Sequence, residues 1–260
     1  MKILQLTDLH VNAEGKPAFR RADSLGDLRS TVDYILQVDL QPDVAVVTGD
    51  VSTDGTAAAY ELVRQELARL DCPVWVLPGN HDEKVPMKAV FGPDCHTADD
   101  GAGRCIDTPQ ARLLLLDSVV SGQSAGGVTA QQLSWIAAHL DVPPQHPVML
   151  WMHHFPFRSG IEGMDHPFAG REELLALLQG RNAYVCSGHL HAGVVRRAGT
   201  LTLMTAPAVS MLMELRLERV RFYEGNAGFA LHLVQDGAVT THLCAVPARR
   251  AATGPHAFVE

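Results

Sequence analysis

Six short apolar runs set the terms for this chain: Ile3–Leu6, Val44–Thr48, Val74–Leu77, Leu113–Leu116, Val148–Met152 and Tyr184–Ser187. Each is almost wholly apolar and is bounded by Gly, Pro or Asp. A strand that shows one face to water alternates apolar with polar residues, whereas a strand buried on both faces does not. Such strands need cover on both sides, and the cover is written between them. Ala57–Leu70 carries Leu62, Val63, Leu67 and Leu70 at helical spacing, and Leu28–Leu36, Thr129–Leu140 and Arg171–Leu178 read the same way. Thr129 is placed as an N-cap and Gly180 as a stop. Strands alternating with helices predict an α/β fold.

The last third changes character. Val194–Thr205 reads as two strands around Ala198–Gly199, and Phe229–Val234 with Val239–Leu243 as a hairpin turned at Asp236–Gly237. Met211, Met213, Leu215 and Leu217 alternate among charges, so residues 206–225 read as a strand or arm that serves the core or the interface of a homodimer or higher homo-oligomer. Pro247–Glu260 is small and polar and reads as a loosely ordered tail. With no repeat and no linker, residues 1–246 read as a single domain.

Chemistry-bearing residues stand where the runs end. Asp8 and His10 follow the first, Gly49–Asp50 the second, and Gly79–Asn80–His81–Asp82 the third. His153–His154 follow the fifth, and Gly188–His189–Leu190–His191 the sixth. In an open α/β sheet, the loops beyond the strand C-termini converge on one crevice. Carboxylate, amide and imidazole donors suit Mn, Fe, Co or Zn rather than a thiolate-selected metal. Asp8, His10, Asp50, Asn80, His153, His189 and His191 are too many donors for a single ion and suit two ions sharing a bridge. On this chain's own composition G-H-x-H arises by chance about once in 20 chains and G-N-H-D about once in 900. Strand alternation turns His154 to the opposite face, so it is left out of the donor set. His166, in the loop after the His153 strand, lies within reach of the cleft. His96, His139, His146, His232, His242 and His256 read as surface or incidental.

The balance of 21 Lys and Arg against 29 Asp and Glu gives a net charge of −8. That disfavours a nucleic-acid polymer or an anionic membrane as partner. No apolar run approaches the ~18–20 residues that span a bilayer. The first apolar stretch runs straight into Asp8, too short for a signal peptide, so a cytoplasmic protein is expected. Five cysteines without C-x-x-C spacing read as free thiols in or near the core, with a Cys95–Cys105 link as the alternative.

The set D-x-H, G-D, G-N-H-D, H-H and G-H-x-H, in that order from Asp8 to His191, resembles the calcineurin-like metallophosphoesterase superfamily. Within it, the chain looks most like the bacterial phosphodiesterases that include class III cyclic-nucleotide phosphodiesterases and related glycerophosphodiesterases. The resemblance implies a four-layer α/β/β/α sandwich around a dinuclear metal centre. It implies one metal on Asp8, His10, Asp50 and His191 and the other on Asp50, Asn80, His153 and His189, with Asp50 as the bridge. His81 is then expected near the leaving-group oxygen. The cofactors implied are two transition-metal ions, Mn or Fe, with Zn or Co as alternatives. On this reading a metal-bridging hydroxide attacks the phosphorus, because the ions lower the acidity constant of the water between them. Asp50 and His81 are the catalytic pair, with His81 protonating the departing alkoxide. One departure stands out. Members often read H-H-P-P, where this chain has His153–His154–Phe155–Pro156, so Phe155 is expected to reshape a wall of the cleft.

The same motifs sort the reaction. Protein phosphatases of the superfamily show G-D-x-x-D-R-G, whereas Gly49–Asp50–Val51–Ser52–Thr53–Asp54–Gly55 has no Arg. A phosphomonoester dianion gains from a bidentate guanidinium, and a singly charged diester needs it less. Purple acid phosphatases place a Tyr where Thr53 stands. The expected substrates are small phosphodiesters, 3′,5′-cyclic nucleotides such as cyclic AMP first and glycerophosphodiesters second. The rival from another class is a non-catalytic interaction scaffold on the same fold, in which the ligand positions are typically degenerate. Here all seven are filled.

Overall fold

The computed structural model describes residues 1–97, 102–225, 227–248 and 253–257. The chain runs β1 (Lys2–Leu6), α1 (Ser24–Gln37), β2 (Val44–Thr48), α2 (Ala57–Leu67), β3 (Val74–Leu77), α3 (Lys84–Phe91), β4 (Arg104–Asp107) and β5 (Arg112–Leu115). It continues with β6 (Gly126–Gly127), α4 (Ala130–Ala138), β7 (Val148–Trp151), β8 (Phe168–Ala169), α5 (Arg171–Leu178) and β9 (Ala183–Ser187). The remaining strands are β10 (Val194–Ala198), β11 (Leu201–Thr205), β12 (Leu212–Met213), β13 (Arg221–Glu224), β14 (Ala227–Gln235), β15 (Ala238–Val246) and β16 (Thr253–Ala257).

Two sheets carry the architecture. One has the order β15-β14-β1-β2-β3, the other β10-β11-β9-β7-β5-β4. β1, β2 and β3 are parallel, and β14 closes on β1 antiparallel. In the second sheet β5, β7, β9 and β11 are parallel, with β4 and β10 as antiparallel edges. The strands read as continuous apolar runs because successive side chains enter two different cores. Leu4, Leu6, Ala45, Val47 and Val76 pack outward on Leu28, Val32 and Ile35 of α1 and on Tyr60 and Val63 of α2. Ile3, Val44, Val46 and Leu77 pack inward on Leu113, Leu115, Met149 and Trp151 of the facing sheet. Leu114, Leu150, Val185 and Leu203 face Ile136, Leu174 and Leu178 of α4 and α5. The result is the four-layer α/β/β/α sandwich.

Local chemistry sets the helix starts. Asp23 accepts from Gly26 N ahead of α1, and Thr56 from Ala59 N ahead of α2. Thr129 and Gln132 form a reciprocal capping box at α4. Between the sheets, His232 bridges Thr241 Oγ1 at 2.8 Å and Gln5 Oε1 at 3.1 Å. Gln5 Nε2 donates to Thr48 Oγ1 and Ser187 O. His232 is fully buried in a satisfied polar network, not incidental.

Two expectations change. Thr253–Ala257, expected loose, is strand β16 on β13, and residues 249–252 and 258–260 of that tail lie outside the described residues. The 206–225 segment is not a single strand: β12 and β13 pair antiparallel, Met211 and Met213 are buried in this chain, and Leu215 and Leu217 are exposed. The cysteines match expectation: all five are free thiols, and the alternative Cys95–Cys105 link is not formed. Among the described residues no helix is long and apolar enough to cross a membrane.

Candidate metal centre

Every donor singled out from the sequence stands in a turn just beyond a strand, and the two sheets aim those turns at one place. Asp8 and His10 leave β1, Asp50 leaves β2 and Asn80 leaves β3; His153 leaves β7, and His189 and His191 leave β9. The turns are zipped to one another: Asp8 N donates to Gly49 O at 3.0 Å and His10 N to Asp50 O at 2.9 Å. Across the sheets, His189 N donates to Asp8 Oδ2 at 3.0 Å. Asp8, His10, Asp50, His189 and His191 all hold positive φ, between 49° and 68°. Residues with a Cβ seldom adopt that region and do so at sites where the surrounding structure enforces it. Two glycines allow the approach. A Cβ on Gly188 would stand 1.9 Å from Thr7 Oγ1, and one on Gly79 2.1 Å from Asp50 Oδ1.

Hydrogen bonds to the outer ring nitrogens orient the imidazoles. His153 Nδ1 meets Thr48 O at 2.8 Å, His191 Nδ1 meets Met211 O at 2.8 Å, and His10 Nδ1 meets Thr53 Oγ1 at 3.2 Å. Carbonyl acceptors assign the proton to Nδ1 in His153 and His191 and leave the Nε2 lone pair facing inward. The inner atoms crowd. His10 Nε2 lies 3.1 Å from His191 Nε2, and His189 Nδ1 3.2 Å from His153 Nε2. Asn80 Oδ1 is 3.2 Å from His153 Nε2. Asp50 Oδ2 is 3.3 Å from His153 Nε2 and 3.7 Å from His10 Nε2, so one carboxylate touches both halves of the cluster. Asp8, His10 and His191 form one group of converging donor atoms, and Asp8, Asp50 and His153 another.

The cluster fits cations. Two nitrogens bonded to one ion at ~2.1 Å in tetrahedral geometry stand roughly 3.4 Å apart, close to both observed pairs. Hydrogen bonds cannot satisfy so many lone pairs aimed at one point, and a cation can. The electrostatics agree. Burial pulls His10 and His189 well below the ordinary imidazole range, so both are neutral donors. Burial acts upward on Asp50, but His153, His81 and His10 together hold its carboxyl well below the usual range. Burial pulls His153 down, but the Asp50 carboxylate raises it to about 9. Burial raises Asp8, partly offset by His191.

All seven donors expected from the sequence meet here. His81 borders the cleft; its backbone N–H donates to Asp50 Oδ1 at 3.0 Å, and its ring packs edge-on against His10 and Phe19. His154 does not turn away. β7 ends at Trp151, the backbone bends, and strand alternation no longer applies. Its ring lies 4.8 Å from those of both His153 and His189, and burial pulls it well below the ordinary imidazole range. Phe155 is buried against Phe157 and His189. Asp82 takes a role the motif alone did not indicate. Its carboxylate accepts from Val51 N, Ser52 N, Gly79 N and Tyr60 Oη, tying the Asp50 turn to the Asn80 turn. Over the centre opens a cleft of about 550 Å³, walled on one side by Met164, Met213 and Val220. Ser124 and His166 also line it, and among the described residues the lining includes neither Arg nor Lys.

Comparison with known proteins agrees with this geometry. A curated relative from Arcobacter nitrofigilis, the probable glycerophosphodiester phosphodiesterase GpdQ, is 30% identical over 93% of this chain and 92% of its own. The 3′,5′-cyclic adenosine monophosphate phosphodiesterase CpdA of Escherichia coli K12 is 27% identical over 94% of this chain and 89% of its own. Among solved structures, a purple acid phosphatase from yellow lupin superposes with a TM-score of 0.67 at 15% identity, covering 94% of this chain and 51% of the lupin chain, a likeness of fold. The family model for calcineurin-like phosphoesterases matches residues 1–193, a span that holds every donor of the centre. The chain belongs to the calcineurin-like phosphoesterase family.

Proposed function

We propose that this chain is a metal-dependent phosphodiesterase for small diesters, with 3′,5′-cyclic nucleotides as the preferred substrates. The observation that carries the reading is the convergence of Asp8, His10, Asp50, His153, His189 and His191, with Asn80 Oδ1 beside His153, at the floor of a cleft whose described lining has no Arg or Lys. A dianionic monoester gains most from a guanidinium fork, and none lines this cleft. The apolar wall of Met164, Met213 and Val220 offers a planar base a surface to pack on. Glycerophosphodiesters are the second reading, favoured by the Arcobacter relative that carries that name.

Asp8, His10, Asp50 and His191 would hold one ion, and Asp50, Asn80, His153 and His189 the other. Two transition-metal ions, Mn or Fe foremost and Zn or Co compatible, supply Lewis acidity to the phosphate oxygens and acidify coordinated water when bound. The chain's own residues do the rest. Asp50 spans both halves of the cluster. The outer-nitrogen hydrogen bonds of His153 and His191 keep the donor rings oriented. His81, at the cleft with its ring steadied by Phe19, delivers a proton to the departing alkoxide oxygen as the P–O bond breaks.

The test is turnover on metal-reconstituted protein. Bis(p-nitrophenyl) phosphate should show a higher kcat/KM than p-nitrophenyl phosphate, and cyclic AMP should outcompete glycerophosphodiesters. Preference for the monoester would overturn the diester reading. His81→Ala should depress turnover of an alkyl diester far more than of an aryl diester, since p-nitrophenolate leaves without a proton. Equal losses would remove the acid role from His81.

A further inference from the structure

His154 is the imidazole of the cluster that neither set of ion ligands uses, and its surroundings decide what it presents. Ser118 Oγ accepts from the His154 backbone N–H at 3.1 Å and lies 3.0 Å from His154 Nδ1. Ser118 is buried, and Nδ1 is the acceptor within reach of its hydroxyl hydrogen. A hydroxyl that donates to Nδ1 leaves the ring proton on Nε2, the tautomer we assign and that nitrogen-15 NMR reads. Among the described residues that Nε2 is buried and has no hydrogen-bond partner. His189 repeats the pattern: its Nδ1 faces His153 within the cluster, and its Nε2 is buried with no partner among the described residues.

The two rings lie 4.8 Å apart, and both border a void of about 10 Å³. Ser124, Phe155, Met164 and His166 border it as well. Ser124, Met164, His166 and His189 also line the large cleft, so the void is a side chamber of it. Gly126 makes room for the His154 ring, since a Cβ there would stand 2.3 Å from His154 Cβ and Cγ. Buried N–H groups are seldom left unpaired, because each forfeits the hydrogen bond it had with water. Two beside a chamber that holds roughly one oxygen atom point to a single acceptor.

We propose that His154 is a specificity-determining residue: with His189 it forms a paired N–H seat for one acceptor oxygen at the back of the cleft. The oxygen belongs to a hydroxyl of the diester's alcohol portion or to a resident water. The proposal rests on the phosphodiesterase reading above and extends it to the group that flanks the phosphate.

The experiment compares p-nitrophenyl glyceryl phosphate with p-nitrophenyl propyl phosphate, which share a leaving group and differ in hydroxyls. Three variants separate donor from bulk. Gln at 154 can place an amide N–H where Nε2 stands, Asn places one only near Nδ1, and Phe places none. On the glyceryl diester, His154→Asn and His154→Phe should lower kcat/KM by about tenfold, through KM more than kcat, and His154→Gln should recover most of that loss. If the substrate supplies the oxygen, the Asn and Phe losses shrink on the propyl diester. Equal losses on both, even when rescued by Gln, assign the seat to water and overturn the specificity role. A Gln variant as impaired as Asn, or a Phe variant without effect on either diester, overturns the proposal. Nitrogen-15 NMR of histidine-labelled wild-type protein reads the tautomer independently of turnover. An Nε2–H at His154 is expected, and an Nδ1–H overturns the proposal even if the variants fail to fold. A wild-type protein that hydrolyses neither diester sinks the functional reading and leaves the NMR result to judge the seat.

Discussion

Replacing Asp82 with Ala strips the acceptor from four donors at once. Val51 N at 3.1 Å, Ser52 N at 3.0 Å, Gly79 N at 2.8 Å and Tyr60 Oη at 3.1 Å all donate to this one carboxylate. The three N–H groups belong to turns packed under the centre, where water cannot replace the lost acceptor. A buried donor left unpaired costs about 1–3 kcal/mol, so three give roughly 3–9 kcal/mol. Something must be returned. Burial and the nearby Asp50 carboxylate push the Asp82 carboxyl up to about 7, so its ionised form is itself held at a cost that the variant relieves. Set against the middle of that range, the relief leaves a net loss of about 3 kcal/mol, equivalent to a melting temperature lower by roughly 6–12 °C. Asp82→Asn should fall between. Its amide oxygen still serves two donors, but its N–H₂ points at the other two. Calorimetry and urea unfolding of metal-free protein measure the loss. Titration with Mn should show weaker uptake by about 10–100-fold, because the Asp50 and Asn80 turns are no longer tied. An Asp82→Ala protein within about 1 kcal/mol of wild type would refute the reasoning, since it would mean the turns hold themselves.

Two further predictions follow from the same geometry. Gly188→Ala forces Thr7 Oγ1 away from a Cβ built 1.9 Å from it and pushes on Asp8, so metal content by elemental analysis should fall below one ion per chain while circular dichroism stays near wild type; two retained ions would contradict the close packing. His232, fully buried, is pulled down to about 3 by burial, whereas in the unfolded chain it titrates near 6.5. Between those values the unfolded chain binds the extra proton, so stability is complete above pH ~6.5 and is lost as pH falls, by about 1.4 kcal/mol per pH unit. His232→Gln should flatten that acid slope in urea unfolding from pH 4 to 7, and an unchanged slope would contradict it.

What was legible in the sequence was what local chemistry decides. Doubly buried strands such as Val44–Thr48 cannot disguise their composition, and Thr129 with Gln132 announces a helix start by its own hydrogen bonds. The donor set was legible because every member sits at a strand end, where the fold concentrates function. His154 was misread because alternation assumes a strand, and the strand stops at Trp151. β4 was missed because Arg104–Asp107 is short and capped by charges at both ends, although it pairs with the adjacent β5, and β16 because Thr253–Ala257 contains Gly-Pro and is paired by β13, some thirty residues away. His232 passed for incidental because the acceptor that explains it, Gln5, is 227 residues away. The positive φ angles of Asp8, His10, Asp50, His189 and His191 leave no trace in residue type, since none is glycine.

The place of β1 has a consequence for how the chain is made. It is made before every other described strand, yet it lies inside its sheet, between β2 and β14. β2 arrives early, but β14 begins only at Ala227. Until β14 is made, one row of β1 N–H and C=O groups, flanked by Ile3, Leu4 and Leu6, lacks the partner it has in the folded sheet, which makes it a template for pairing with another nascent chain. Every candidate donor has been synthesised by His191, before the sheet that positions Asp8 and His10 is sealed. A ribosome stalled between those two points would carry all the candidate donors on a polypeptide unable to protect its own edge. The exposure of these chains to chaperones and proteases is thus set by the translation of the stretch between His191 and β14, which contributes no candidate donor to the centre.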